Sequence, residues 1–223
     1  MAAAVRELEP GEVFLENVAA LRTRGLDVVS GHLNELGYDL YWTIATAASV
    51  GAAHTRPRFL GYAVPGEGVT AEISAPPALF PSVRLLPTPK ASDGPNGGPN
   101  QRDGKGGWYL PAIAWRLDSD WRAPELGPEH DYAKAVQRWE RVVGRPAPAP
   151  ASLTPRGDLR ICPRFTDWLM GYPVGLTNQS GIPRAQQIKL GGNGVVAAQA
   201  VAGYRALLAA AGQAVPVTLT QAA

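Results

Sequence analysis

A dense run of glycine and proline in mid-chain limits what this sequence can fold into. Punctuation is heaviest over residues 65–107 and ends in S-D-G-P-N-G-G-P-N-Q-R-D-G-K-G-G at 92–107. A loop of that length is uncommon inside a compact domain and is usually functional or unstructured. The regular elements must therefore lie on either side of it, with an irregular insertion between.

Before the insertion, residues 12–64 read as a compact α/β unit. Val13-Phe14-Leu15 is a short apolar run that ends in Glu16-Asn17, the pattern of a buried parallel strand with polar groups at its carboxyl end. Apolar residues at 26, 28, 29, 33 and 36 share one helical face, and Gly37 supplies a stop. Tyr38 to Ala47 and Arg58 to Ala63 read as strands. Residues 131–143 form a short amphipathic helix, and Arg145 to Ala151 (RPAPAPA) reads as a semi-rigid linker. Beyond it, Pro163 to Met170 is helical, with Pro near its first position and Gly171 closing it. Ile182 to Leu190 is a second short helix. Gly191-Gly192-Asn193-Gly194 is a turn leading into an alanine-rich helix over 195–211.

Composition excludes more than it identifies. A net charge of +2 does not mark a nucleic-acid binder, so any such contact must come from local Arg and Lys clusters. One cysteine, Cys162, excludes an internal disulfide, and three scattered histidines give no metal-ligand spacing. The first ten residues lack the apolar run of a signal peptide, and no stretch reaches the roughly 20 apolar residues of a membrane span. A soluble, cytoplasmic protein without a metal is expected.

Three local patterns could carry chemistry. Glu16-Asn17 at a strand end is a carboxylate–amide pair, although such pairs also serve as turns and caps. In HTRPRFLGYA, Arg56 and Arg58 sit two apart, so a continuous strand would put both on one face. Buried guanidinium groups need a carboxylate or an anion beside them, and Glu16 on a neighbouring strand is the obvious partner. The alternative is a charged strand edge. Third, a glycine-rich turn such as GGNG opening a helix exposes backbone N–H groups and lets a ligand approach closely, unless it merely caps the helix.

The order of these patterns resembles the cytosine-5 DNA methyltransferases, of compact bacterial and phage type. The matching stretches are VFLENVAAL (13–21), VGAAHTRPRFLGYA (50–63), CPRFTDWLMGYPVGLT (162–177) and IPRAQQIKLGGNGVVAAQAVAGYRAL (182–207). The resemblance implies that Glu16 contacts the ring nitrogen and amino group of a flipped cytosine, with Asn17 shaping the same turn. Arg58 would reach the base carbonyl oxygen, and Arg56 would support the pocket or a phosphate. His54 stands where the family has glutamine. Gly192, Asn193, Gly194 and Val195 would line the S-adenosylmethionine site. A glutamate that holds or delivers a proton would need its pKa tuned by burial and neighbours.

The implied fold is α/β: a partial doubly wound, Rossmann-like methyltransferase domain over 1–64 with an inserted, irregular target recognition domain over 65–160. The helices at 161–213 would return to the catalytic domain, followed by a tail at 214–223. Lys90, Arg102 and Lys105 on or beside the glycine-rich stretch would contact double-stranded DNA. Trp108, Trp115, Trp121 and Trp139 are expected in the core.

The family's amino-terminal cofactor loop and Pro-Cys nucleophile have no counterpart here. Cys162 lies in the CPRF segment, where a structural role fits it. Three readings follow: a carboxy-terminal subunit completed by a separate amino-terminal chain, in a restriction-modification or phage-protection setting; a non-catalytic DNA-binding remnant; or an enzyme whose first part lies upstream of Met1. On the first reading a strand near 12–17 would expose an edge to its partner.

Overall fold

The computed structural model describes residues 1–95, 97–177 and 181–213. The expected tail at 214–223 lies outside the described residues. The chain forms two compact units. Among the described residues, one comprises 1–46, 57–77 and 198–213, and the other lies within 47–56 and 78–197. These bounds differ from the divisions expected at 64/65 and 160/161.

The first unit is α/β with a mixed sheet. Helix α1 (Ala2–Leu8) precedes strand β1 (Val13–Val18), followed by α2 (Leu26–Glu35), β2 (Tyr38–Thr46), β3 (Pro57–Pro65) and β4 (Thr70–Glu72). The strand order is β1-β3-β2-β4, antiparallel except for the β2–β4 pair. β1 is thus an antiparallel edge strand, half exposed, where a buried parallel strand was expected. An apolar triplet alone does not set strand direction. β1 meets β3, which has already reversed against β2, and so runs against it.

Side chains alternate between the two faces of the sheet. Leu40, Trp42, Phe59 and Ala63 turn one way, onto Val5 of α1 and Leu33 of α2. Ala45, Leu60 and Tyr62 turn the other way, onto Leu207 and Leu208 of the last helix, α7 (Ala197–Ala210), which follows four helices of the second unit. A Cβ at Gly203 would run into Leu60 Cδ1 and come within 3.5 Å of the Ala45 Cβ. This glycine therefore lets the helix seat on the sheet despite its roughly 1 kcal/mol helix penalty. Gln199 Nε2, on the same helix, donates to the Ala45 carbonyl at 2.9 Å.

The second unit is mostly loop with short elements: α3 (Leu110–Ala114), α4 (Ala133–Val143), a hairpin of β5 (Ala151–Leu153) and β6 (Leu159–Ile161), α5 (Pro163–Leu169) and α6 (Arg184–Asn193). Trp139, Phe165 and Trp168 are fully buried, and the Trp139 indole donates to the Trp168 carbonyl at 2.8 Å. Trp121 stacks on Phe165, and Phe165 on Trp168, with ring centroids under 6 Å apart. Arg145 to Ala151 is not a free spacer. The Ala147 amide is held by Glu140 at 2.8 Å, and Arg145 donates to the Tyr172 carbonyl. Among the described residues no helix is long and apolar enough to cross a membrane.

Candidate active site

Strand parity places the candidate pair in the first unit. Phe14 and Glu16 of β1 point to the same face as Arg58, Leu60 and Tyr62 of β3, the face that α7 covers. Phe14 meets Tyr62 and Tyr204 with ring centroids 5.1 and 5.2 Å away. In register Glu16 faces Leu60 and Arg58 faces Val18, so Glu16 and Arg58 are diagonal neighbours. Arg58 Nε lies 3.0 Å from Glu16 Oε1; the arginine side chain is 11% exposed and the glutamate 37%. The guanidinium is held in place while the carboxylate stays reachable. Together they set a hydrogen-bond acceptor beside a donor, which suits a heterocyclic edge carrying both kinds of group. Asn17 is exposed on the same strand, and its side-chain oxygen accepts from the Val18 amide at 2.8 Å.

Tyr204 on α7 belongs to this site, and the sequence did not single it out. Its hydroxyl donates to the Leu15 carbonyl at 2.9 Å, beside Glu16. Burial pushes the phenol up to about 12, and the Glu16 charge adds to this, so it stays a neutral donor. A lone polar aromatic in an alanine-rich helix carries no spacing signal, which is why it was missed.

Arg56 does not share a strand face with Arg58. It precedes β3, with φ of 38°, so the period-two argument fails at that residue. It lies in the second unit, fully buried, and its guanidinium faces backbone carbonyls. Nη1 donates to Pro89 at 2.9 Å, Nη2 to Gly192 at 3.0 Å and Nε to Gly194 at 3.1 Å. Such a site supports structure and offers nothing to a phosphate. His54 is also fully buried, with Nε2 2.9 Å from the Leu169 carbonyl.

The comparisons with known proteins agree with the expectation from the first unit. Residues 1–76 match the family of C-5 cytosine-specific DNA methylases, and these residues hold Glu16, Asn17, Arg56 and Arg58. That match covers about a third of the chain, and over this span the chain is similar to C-5 cytosine-specific DNA methylases. No curated protein matches it. Among solved structures it is similar to a mutant DNMT2 of Spodoptera frugiperda, with 15% identity and a TM-score of 0.44, over 87% of this chain and 66% of that one. It is also similar to the methyltransferase EhMeth of Entamoeba histolytica, with 15% identity and a TM-score of 0.42, over 94% and 69% of the two chains. The third is S. pombe Dnmt2, with 15% identity and a TM-score of 0.44, over 94% and 72%. The chain thus spans about two thirds of the first of these proteins' length.

The resemblance to these methylases carries the expectation of an S-adenosylmethionine site at 192–195. The residues expected to line its site divide into two pairs. Gly191 to Asn193 form the last turn of α6, and Gly194 caps it, so the glycine turn closes one helix where it was expected to open the next. The end of α6 aims carbonyls, not N–H groups, at its neighbour, and Arg56 takes them, as suits the negative end of a helix. Where a Cβ would stand, Gly192 meets the Lys90–Ala91 backbone, and Gly194 meets the Tyr172 hydroxyl. These two glycines therefore serve packing and do not fit a cofactor cradle on that side. Asn193 is exposed and Val195 half-buried.

The residues expected to contact DNA all lie in the second unit. The Lys90 ammonium is 4.1 Å from the Tyr109 ring centroid, and the Arg102 guanidinium 3.5 Å from that of Trp108. Lys105 is exposed in the turn built on Asp103. Of the four tryptophans expected in the core, only Trp139 is fully buried; Trp115 is 42% exposed, and Trp108 and Trp121 are half-buried. Cys162 is a buried free thiol at the start of α5.

Proposed function

We propose that this chain supplies the base-polarising part of a DNA cytosine-5 methyltransferase. One observation carries the proposal: the half-exposed Glu16 carboxylate held 3.0 Å from a nearly buried Arg58 on the edge of a mixed sheet. In this reading, double-stranded DNA gives up one cytosine from the stack, because its reacting carbons are unreachable inside the duplex. Glu16 accepts from the cytosine amino group and holds the proton shared with the ring nitrogen. The Arg58 N–H groups meet the carbonyl oxygen, drawing electrons from the ring and making carbon 6 electrophilic. Tyr204 holds the backbone at Leu15, and with it the strand that carries Glu16.

Attack at carbon 6 needs a thiolate, and neither the carboxylate nor the guanidiniums can replace that covalent bond. Cys162 is buried in the second unit, so the thiolate comes from outside these residues, on an upstream segment or on a separate amino-terminal chain. S-adenosylmethionine supplies the methyl group; Asn193 and Val195 are the residues here that remain open to it. Packing around Gly192 and Gly194 also supports a second reading, a non-catalytic DNA-binding protein.

The two readings separate by methyl transfer from labelled S-adenosylmethionine to cytosine-containing duplex DNA. The chain alone should transfer none, and addition of a segment bearing the cysteine and glycine-rich loop should produce it. Transfer by the chain alone would refute the external nucleophile, and DNA binding without transfer after completion would favour the binding protein.

A further inference from the structure

Within the mid-chain loop, residues 102–108 form a hydrogen-bonded turn that centres on one side chain. Asp103 Oδ1 accepts the Gly107 amide at 2.7 Å and the Lys105 amide at 2.9 Å, and the Asp103 amide donates to Gly107 at 2.7 Å. This tight turn pairs Arg102 with Trp108 across an antiparallel bridge. The Arg102 guanidinium carbon then lies 3.5 Å from the indole centroid, and Nη1 donates to the Gly106 carbonyl at 2.9 Å. A second arginine, Arg116, lies 4.8 Å from the same ring, but it is engaged by the Ala112 carbonyl at 2.9 Å and by Glu125 at 3.8 Å. Arg102 remains exposed, with its plane set by the indole and its carbonyl contact.

We propose that Arg102 reads a guanine in the target duplex, donating two coplanar N–H bonds to O6 and N7 in the major groove. The inference rests on the DNA methyltransferase reading above. A phosphate contact needs only a positive charge, which Lys105 offers at the tip of the same turn. A fixed guanidinium plane suits a bidentate partner, and the guanine edge offers two coplanar acceptors in O6 and N7. The surroundings point the same way. Arg102 and Trp108 border a cavity of about 440 Å³ that is also lined by Arg84, His130, Glu125 and Glu129. Glu125 lies 3.8 Å from Arg116 and Glu129 3.6 Å from His130, and either carboxylate can accept from the cytosine amino group that sits beside guanine in a G·C pair.

The test is selection of bound sequences from randomised duplex DNA by the full chain, as wild type, R102A, R102K and K105A. Wild type should enrich guanine at one position. R102A and R102K should both lower that preference about ten- to hundredfold and leave other positions unchanged. R102K keeps the charge and the loop, so its loss of preference is not a folding defect. K105A should weaken all sequences alike and reduce the slope of log K against log salt by about one. If R102A instead weakens every sequence equally, Arg102 is a phosphate contact and the inference is overturned. It is equally overturned if the guanine preference survives R102A, or if wild type binds DNA with no such preference. Failure of folded wild type to bind DNA at all would overturn the functional reading itself.

Discussion

Arg56 and Arg58 are two residues apart in sequence and do opposite work. In the first unit, Arg58 pairs through Nε with Glu16 at 3.0 Å and donates from Nη1 to the Pro57 carbonyl at 3.1 Å, and Glu16 reaches solvent. In the second unit, Arg56 is fully buried and gives its donors to the carbonyls of Pro89, Gly192 and Gly194. An arginine facing a carboxylate can lend its field to something else that binds there. One facing three carbonyls is a structural bracket, and its charge is absorbed by dipoles, chiefly at the end of α6.

The contrast can be broken most directly at Glu16. In an enzyme completed with its nucleophile, Glu16→Gln should cut methyl transfer about 10²- to 10⁴-fold, while an ion pair this exposed leaves stability within about 1 kcal/mol. An unaltered rate in the methyl-transfer assay would sink the base-pocket assignment. Arg56→Ala should do the reverse, costing about 3 kcal/mol or more of stability by stranding buried carbonyls. The denaturant midpoint reads this, and a variant with wild-type stability would remove the bracket. Gly203→Ala tests the seat of α7 on the first unit's sheet and should cost about 1–3 kcal/mol through the clash with Leu60, visible as a lower Tm. Tyr204→Phe removes one hydrogen bond to Leu15, worth about 1 kcal/mol, and should also lower kcat where an ordinary packing residue would not.

The smallest effect is a pH dependence confined to the second unit. Burial pushes the Asp93 carboxyl up to about 6, outweighing its bond from the Lys90 amide and the Lys90 charge. The folded state then binds the proton more tightly than the unfolded chain. Stability from this group is present at acidic pH and declines as pH rises from about 4 to about 6. Denaturation series across that window should show the decline in wild type and lose it in Asp93→Asn.

Much of the first unit was legible because it repeats. Strand alternation and the helical spacing at 26–36 located β2, β3 and α2 within a residue or two, and Gly37 stopped its helix as turn chemistry requires, as Gly171 did in the second unit. The Glu16–Arg58 contact followed from strand adjacency. What failed was non-periodic. Strand direction for β1 depends on a neighbour distant in sequence. The left-handed backbone at Arg56 ended the alternation one residue early. Two glycines that look like a turn were absorbed into α6 because Lys90 and Ala91 pack against them. The exposure of Trp108 was hidden for a related reason: an aspartate-built turn, invisible to hydrophobic patterning, holds an arginine over it.

The notch at Gly203 acts as a detent for the last helix. An α-helix turns about 100° per residue, and only one residue per contact can present no side chain to Leu60. Inserting a single residue between 199 and 203 would therefore not slide α7 along the sheet. It would swing Tyr204 away from Leu15 and bring a larger group onto Leu60, so the length of this short segment is fixed as firmly as its composition.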